Sequence, residues 1–395
     1  MSETTSLDKR IRRRITGRPQ SFFAVTAPGL AELCAAELTA PPVAISSFKA
    51  EAEPGGVGFT ARLHDAYRAN LHLRTATRIL MRIDTVRATR FDPLEARLSE
   101  IPWELYLKPG TPVRVTSAVR HCRLHHRGAI GQRAEAAIEA RMADWTSAAP
   151  SGAPPIPQTI FIRGVDDRFT VSIDTSGEML YRRGLKAAVG RAPIRETLAA
   201  AILRLGGLAP GRPLVDPLAG AGTFALEGAM MLAGIPPGRY REFAFMDWPS
   251  FQPGRWRHFI READAAVRYP DRPVVFASDQ DPAACAALAE GVRAAGLDRA
   301  VSVSRADART VRPPTGWPPG LVVIDPPYGL RLSTPEASAE LFAELSAHLS
   351  AAFRGWRTAI ILPDPRLAAS APSGLSARRI IHGGRRRTLL TGRIR

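Results

Sequence analysis

One feature constrains the fold more than any other: two apolar, strand-like runs that each end in a tight polar turn. Val215-Asp216-Pro217-Leu218-Ala219-Gly220-Ala221-Gly222-Thr223-Phe224 leaves an apolar start, turns through small residues and enters the helix-like run Leu226 to Leu232. Leu321-Val322-Val323-Ile324 runs straight into Asp325-Pro326-Pro327-Tyr328-Gly329. The first reads as strand, glycine turn and helix, and the second as a strand with a stiff polar tip. Ligands of open parallel sheets sit beyond the carboxyl ends of the strands, so both tips can face one crevice.

The flanking pattern supports such a sheet. Strands are expected at 213–217, 273–278, 300–304, 321–325 and 357–362, with helices between them, and an antiparallel pair at 376–382 and 387–394 closes the series. This is a doubly wound, Rossmann-like α/β sheet. Upstream, strands are expected at 22–26, 56–61, 78–86, 111–119 and twice within 159–174, with helices from Leu30, Leu63 and Ala129. That order suggests a small α+β module. A chain of 395 residues exceeds the ~250–300 residues of a single core, so two or three domains are expected. The boundary falls near 175–190, giving a module over 21–175 and a larger domain over 176–395. Residues 1–20 are polar, basic and without periodicity, and are expected to form a disordered arm.

Charge points to a partner. Lys and Arg number 54 against 37 Asp and Glu, a formal net charge of +17, and residues 378–395 hold seven arginines and no acid. A polyanion is the expected ligand of such clusters. A second cluster runs from Arg120 through His121, Arg123, His125, His126 and Arg127 to a helix carrying Arg133. Backbone N–H groups, helix dipole and guanidinium forks there suit phosphate, so Arg120, Arg123, Arg127 and Arg133 are candidate RNA contacts. The histidines have no carboxylate or thiolate at ligand spacing, and no metal is expected. Cys34, Cys122 and Cys285 lie far apart, which argues against a disulfide framework. The basic amino terminus has no long apolar run behind it and no segment approaches the ~20 residues of a membrane span, so the cytoplasm is the default and no membrane is expected.

The turn chemistry narrows the cofactor. Gly220 and Gly222 let backbone approach a ligand closely. The next acidic strand end, Asp279, lies 57 residues past Gly222, whereas a dinucleotide site expects an acid ~20 residues on. Asp216 within the loop also disfavours pyrophosphate. A cationic nucleoside without phosphate, S-adenosylmethionine, fits better, with Asp279 accepting from the ribose hydroxyls and Asp307 from the adenine amine. Acids at strand ends also serve as helix N-caps, and that alternative stands for each. In Asp325-Pro326-Pro327-Tyr328 the prolines stiffen a loop whose carboxylate and carbonyls can hold an exocyclic amine while Tyr328 stacks on the base. A base inside a duplex could not enter, so the target is single-stranded or flipped. Trp248, Phe251 and Trp256, in a 234–272 insertion, could stack on RNA under a lid or pack as core.

At these residues the chain resembles class I S-adenosylmethionine-dependent RNA methyltransferases with an N-terminal THUMP domain, most of all bacterial enzymes that methylate the N2 amine of guanine in 23S ribosomal RNA. The resemblance spans residues 22–395 and rests on the following stretches in order. They are Phe22-Phe23-Ala24 with Pro28-Gly29-Leu30, the basic segment 120–133, Arg183-Gly184, Ala192 to Leu198, and Asp216 to Glu227. Phe243 to Phe245 with Trp248-Pro249, Ser278 to Asp281, and Asp325 to Gly329 complete the set. It implies a ferredoxin-like plus THUMP module that grips RNA. It also implies cofactor contacts around Asp216, Pro217, Ala219, Gly220, Gly222, Thr223, Asp279 and Asp307, and amine contacts at Asp325 and Tyr328. Ala219 and Ala221 replace the usual Cys and Ser, and Asp325 replaces a frequent Asn. A tRNA guanine enzyme, an adenine-N6 enzyme and a non-catalytic assembly factor remain as other readings.

Overall fold

The structure, a computed structural model, describes residues 2–45, 51–53, 55–143, 145, 157–185, 194–326, 335–362 and 364–395. The chain divides into two units: Met1–Thr26, Cys34–Leu180 and Arg241–Ile260 form one, and Ala27–Leu33, Tyr181–Tyr240 and Arg261–Arg395 the other.

In chain order the first unit begins with α1 (Ser2–Ile11), β1 (Gln20–Thr26), α2 (Ala31–Thr39), β2 (Glu51–Glu53), β3 (Gly56–Ala61) and α3 (Leu63–His72). It continues with β4 (Ala76–Arg87), α4 (Phe91–Glu100), β5 (Val113–Arg120), α5 (Arg127–Ala143), β6 (Gln158–Val165) and β7 (Arg168–Asp174). The strands form one sheet in the order β2-β3-β1-β4-β7-β6-β5, antiparallel except for β5 beside β6.

Two expectations fail in this unit. Residues 2–20 are not a disordered arm, because α1 continues into a helical turn over Arg12–Thr16. Ile11 and Ile15, four apart, are both buried, and the Gln20 amide donates to the carbonyls of Arg14 and Ile15. Arg10 pairs with the buried Glu104. The second correction concerns the insertion. Residues 241–260 belong with the first unit rather than with a continuous 176–395 domain. Phe245 stacks on Tyr67 at 4.3 Å and Trp256 meets it edge-on at 5.6 Å. The buried Trp248 donates its indole N–H to Gln158 Oε1 at 2.8 Å. Phe245 and Trp248 are therefore core and present no face for stacking on RNA, while Phe251 and Trp256 are half-buried against them.

The second unit holds α6 (Glu196–Gly206), β8 (Leu214–Asp216), α7 (Thr223–Ala233), the end of α8 (Pro253–Ala266), β9 (Val275–Asp279), α9 (Pro282–Ala294) and β10 (Val301–Arg305). β11 (Leu321–Ile324), α10 (Pro335–Ala352), β12 (Arg357–Leu362), β13 (Leu375–His382) and β14 (Arg385–Arg393) follow. The sheet order is β10-β9-β8-β11-β12-β14-β13, parallel except around β14. Because successive strand residues face opposite sides, one sequence feeds two cores. Leu214, Leu321, Val323, Ala359, Ile361 and Leu389 join α6, α7 and α9 on one face. Val215, Val322, Ile324, Ile360, Leu362 and Leu390 meet Phe342 and Leu349 of α10 on the other. This is the doubly wound sheet expected from the sequence.

Candidate active site

β8 has β9 on one side and β11 on the other, and the strand order reverses between β8 and β11. Such a reversal opens a crevice at the carboxyl edge. Register places the candidate acids around it. Asp216 ends β8 opposite Ala277 of β9, and Val215 lies opposite Val322 of β11. Two residues beyond that level come Asp279 on one flank and Asp325 on the other. Three of the expected carboxylates thus meet at one edge.

Their environments differ. Asp216 is buried, and its Oδ2 has no hydrogen-bond partner among the described residues. Burial first, then the charge of Asp325, pushes its carboxyl up to about 8; the Leu218 N–H opposes the shift and Asp279 adds to it. An orphaned buried acceptor is costly, and a donor or cation arriving there would relieve it. Asp279 is half-buried and already structural: its Oδ2 accepts from the Gly220 N–H at 2.9 Å and its Oδ1 from the Asp281 N–H at 3.0 Å. Each oxygen keeps a lone pair for a hydroxyl donor. The N-cap of α9 is Asp281, not Asp279, since the Asp281 carboxylate accepts from the Ala283 N–H at 2.9 Å.

The glycine turn is shaped for close approach. Pro217 and Ala219 are buried, the Ala219 N–H donates to the Ser278 carbonyl at 2.9 Å, and Thr223 opens α7. Gly222 has φ +78°, and a Cβ there would lie 2.0 Å from Leu288 Cδ1. Gly220 has φ +49°, and a Cβ there would meet nothing within 4 Å. Packing and conformation therefore demand glycine at 222, while the open side of the turn lies at 220.

Asp307 sits two residues past β10, but its carboxylate is taken. Arg309 donates to both its oxygens over 2.6–3.1 Å, side chain and backbone together, and holds its pKa down. An adenine amine would have to displace that fork, so Asp307 does not stand ready for the contact expected of it. A cavity of about 490 Å³ runs beside the same strands, lined by Phe276, Ser278, Ser304, Ala306, Val311 and Trp317 among others. Neither Asp216 nor Asp325 lines it. In the loop after β11 Asp325 is half-buried and Pro326 buried, while Pro327 and Tyr328 lie outside the described residues.

A buried ion pair escaped the sequence reading. Arg183 Nε and Nη2 donate to Glu227 Oε2 and Oε1 at 3.1 and 3.3 Å, both side chains almost fully buried. Glu227 lies early in α7, so the pair ties the Arg183 segment to the helix that the glycine turn opens. The one signal was a glutamate within an otherwise apolar helix.

In the first unit Arg120, Arg123 and Arg127 are exposed between the end of β5 and the start of α5. The turn joining β6 to β7 props this segment: Asp167 accepts from the Arg123 N–H at 2.7 Å, and Asp166 lies 3.4 Å from His121. Arg133 differs, since it pairs with Glu95 at 2.6 Å and lies over the Phe91 ring. Among the described residues no group of three or more His, Cys, Asp or Glu could hold a metal, and no helix is long and apolar enough to cross a membrane.

The comparisons with known proteins agree with this geometry. Residues 21–80 match the RlmL ferredoxin-like domain, and residues 183–381 match UPF0020, the RMKL-like methyltransferase domain. A protein of Synechocystis sp. named as an RNA methyltransferase, slr0064, is 29% identical over 93% of this chain and 94% of its own length. Ribosomal RNA large subunit methyltransferase K/L of Syntrophotalea carbinolica is 32% identical over 89% of this chain and 50% of its own, so this chain spans about half of that relative. The crystal structure of SMU.472, a methyltransferase complexed with SAH, aligns with a TM-score of 0.84 at 26% identity, covering 96% of this chain and 99% of that one. The unpartnered Asp216 acceptor, the open turn at Gly220 and the remaining lone pairs of Asp279 fit the amine and hydroxyl donors of S-adenosylmethionine, which is the cofactor. With half its length, residues 183–381, matching that domain, the chain belongs to the UPF0020 family of RMKL-like methyltransferases.

Proposed function

We propose that the chain transfers a methyl group from S-adenosylmethionine to the N2 amine of a guanine in 23S ribosomal RNA. The observation that carries the reading is the switch-point edge, where Asp325 follows β11 directly beside the orphaned acceptor of Asp216. The names of the K/L relatives support ribosomal RNA as the substrate class, and the basic segment at Arg120, Arg123 and Arg127 supports a polyanion.

The cofactor supplies a methyl group on a sulfonium, which leaves as a thioether. The chain's own part is orientation. An exocyclic amine is a poor nucleophile because its lone pair is delocalised into the ring. Asp325 accepts one N–H, backbone carbonyls at the stiff Pro326 turn accept another, and the lone pair is thereby aimed at the methyl carbon. Tyr328 stacks on the flipped base. As the N–C bond forms and the C–S bond breaks, charge moves from sulfur to nitrogen and leaves as the amine proton, so no strong base is needed. Asp216 and the glycine turn would hold the cofactor, and Asp279 would accept from its ribose hydroxyls.

The test is tritiated methyl transfer to ribosomal RNA and to tRNA from cells lacking the gene, followed by nucleoside analysis. N2-methylguanosine in large-subunit RNA is the expected result. Label in tRNA or in adenosine would replace the substrate or the base, and cofactor binding with no transfer to any RNA would refute the reading.

A further inference from the structure

Resting on the reading of this unit as an RNA methyltransferase, we infer that the β13–β14 hairpin is a second RNA-binding surface, one that grips backbone phosphates beside the target nucleotide at the catalytic edge. Ile324 of β11 pairs with Ile360 of β12, Ile360 with Leu390 of β14, and Leu390 with Ala377 of β13. One row across the sheet therefore joins the end of β11 to the hairpin. The next row outward holds Asp325 at one end and Arg378 at the other.

β12 stops at Leu362, level with Thr388 and Arg379, but the hairpin goes on. The pairs Ile380–Arg387, Ile381–Arg386 and His382–Arg385 extend it three rows further, to a turn at Gly383 and Gly384, both with positive φ. At ~3.3 Å per row the tip rises about 13 Å past the level of Asp325, and at ~4.8 Å per strand it stands two to three strands, about 10–14 Å, to the side. It overhangs the edge on which the target base must arrive.

What overhangs is cationic. Arg378, Arg379, Arg385 and Arg386 are exposed, and no ion pair among the described residues engages them. Residues 375–395 contain no Asp and no Glu. Arg379 and Arg386 share one face of the ribbon with Ile381, and Arg378 and Arg385 share the other with Ile380 and His382, as the pairing dictates. A ribbon with guanidinium forks on both faces can follow a bent phosphate backbone, and the fork geometry suits phosphate bidentately. Arginines also discourage edge-to-edge pairing of strands, and β13 is the last strand of the sheet. That role needs charge of either sign, whereas this hairpin carries one sign only, at the edge where a polyanion is expected.

The experiment uses the full chain with Arg379, Arg385 and Arg386 changed together to Gln, beside the matching triple change to Lys. Calorimetry with S-adenosylmethionine serves as the control for folding, and binding of an unmodified 23S ribosomal RNA transcript is followed across salt concentrations. Each lost phosphate contact removes about 0.7–0.9 from the slope of log K against log salt. The Gln variant is expected to bind cofactor normally, lose about 2 from that slope and bind RNA at least tenfold more weakly at 0.15 M salt, while the Lys variant keeps the slope. An unchanged slope in a Gln variant that still binds cofactor would overturn the inference and leave edge protection as the arginines' role. Binding is read without turnover, so a wild-type chain that grips the transcript through the hairpin yet methylates nothing would sink the proposed reaction alone.

Discussion

Asp216 should make cofactor binding depend on pH in a window far above that of an ordinary carboxylate. Its carboxyl titrates near 8 in the free protein, raised by burial first and by the charge of Asp325 next. At pH 7 about nine molecules in ten therefore carry the proton. A cationic ligand beside the orphaned Oδ2 favours the carboxylate, so binding expels that proton and the dissociation constant falls as pH rises. If the bound-state pKa drops below 5, the constant improves about 50-fold between pH 6 and pH 8 and hardly changes from there to pH 9, because one unit of pKa corresponds to about 1.36 kcal/mol. Titration calorimetry in two buffers of different ionisation enthalpy should count about 0.9 proton released per cofactor at pH 7. The stability of the free protein runs the other way. The folded-state pKa lies above the unfolded one, so the neutral form's contribution is present below pH ~4 and is lost as pH rises through about 8. Cofactor should accordingly raise Tm more at pH 8 than at pH 6. Asp216→Asn should flatten both dependences; a flat wild-type profile, or an equal slope in the Asn variant, would refute the reasoning.

Gly222→Ala should cost about 2–4 kcal/mol in urea unfolding, from left-handed strain and the clash with Leu288, whereas Gly220→Ala should cost only about 1–2 kcal/mol but weaken cofactor binding. Equal losses of stability in the two would show that the turn is not divided as described. Glu227→Ala leaves the buried Arg183 short of its carboxylate and should cost about 3–5 kcal/mol; a loss under 1 kcal/mol would mean that the pair is dispensable. Replacing Arg120, Arg123 and Arg127 by Ala should weaken RNA binding at every sequence tested and flatten its salt dependence, and an unchanged slope would remove the phosphate role of that segment.

The second unit was legible because its strands advertise themselves. Val322, Val323 and Ile324 form a continuous apolar run stopped by Asp325-Pro326, and Gly220 and Gly222 punctuate the entry to α7, so strand tips could be placed to within a residue or two. Acids at strand ends inherit that accuracy, which is why Asp216, Asp279 and Asp325 were placed at one edge from the chain alone. Features carried by partners far along the chain were not legible. Residues 1–20 look like a solvated arm because their charges are visible and the anchor at Glu104 is not. Residues 241–260 are numbered within the methyltransferase unit, yet Tyr67 and Gln158 claim their aromatics. Glu37 of α2 is buried for the same reason, satisfied by the backbone N–H groups of Arg74 and Thr75 and by the Thr75 hydroxyl, all far along the chain. Asp307 shows the converse limit, since a neighbour two residues away, Arg309, occupies the acceptor that the spacing had assigned to a ligand.

The depth of Asp216 bears on which cationic group it meets. S-adenosylmethionine carries two positive charges, an ammonium and a sulfonium, and only the sulfonium is lost on transfer. A buried carboxyl poised near 8 responds to whichever charge lies nearer. Were the ammonium its partner, S-adenosylhomocysteine would bind with the same pH slope as the cofactor, and the ratio of the two affinities would stay constant. Were the sulfonium its partner, the product would lose the slope, Asp216 would regain its proton after each transfer, and the preference for cofactor over product would widen with pH up to about 8. Parallel titrations with the two ligands at pH 6, 7 and 8 therefore locate the carboxyl relative to the reacting sulfur. They also decide whether Asp216 only holds the cofactor or helps to expel the product.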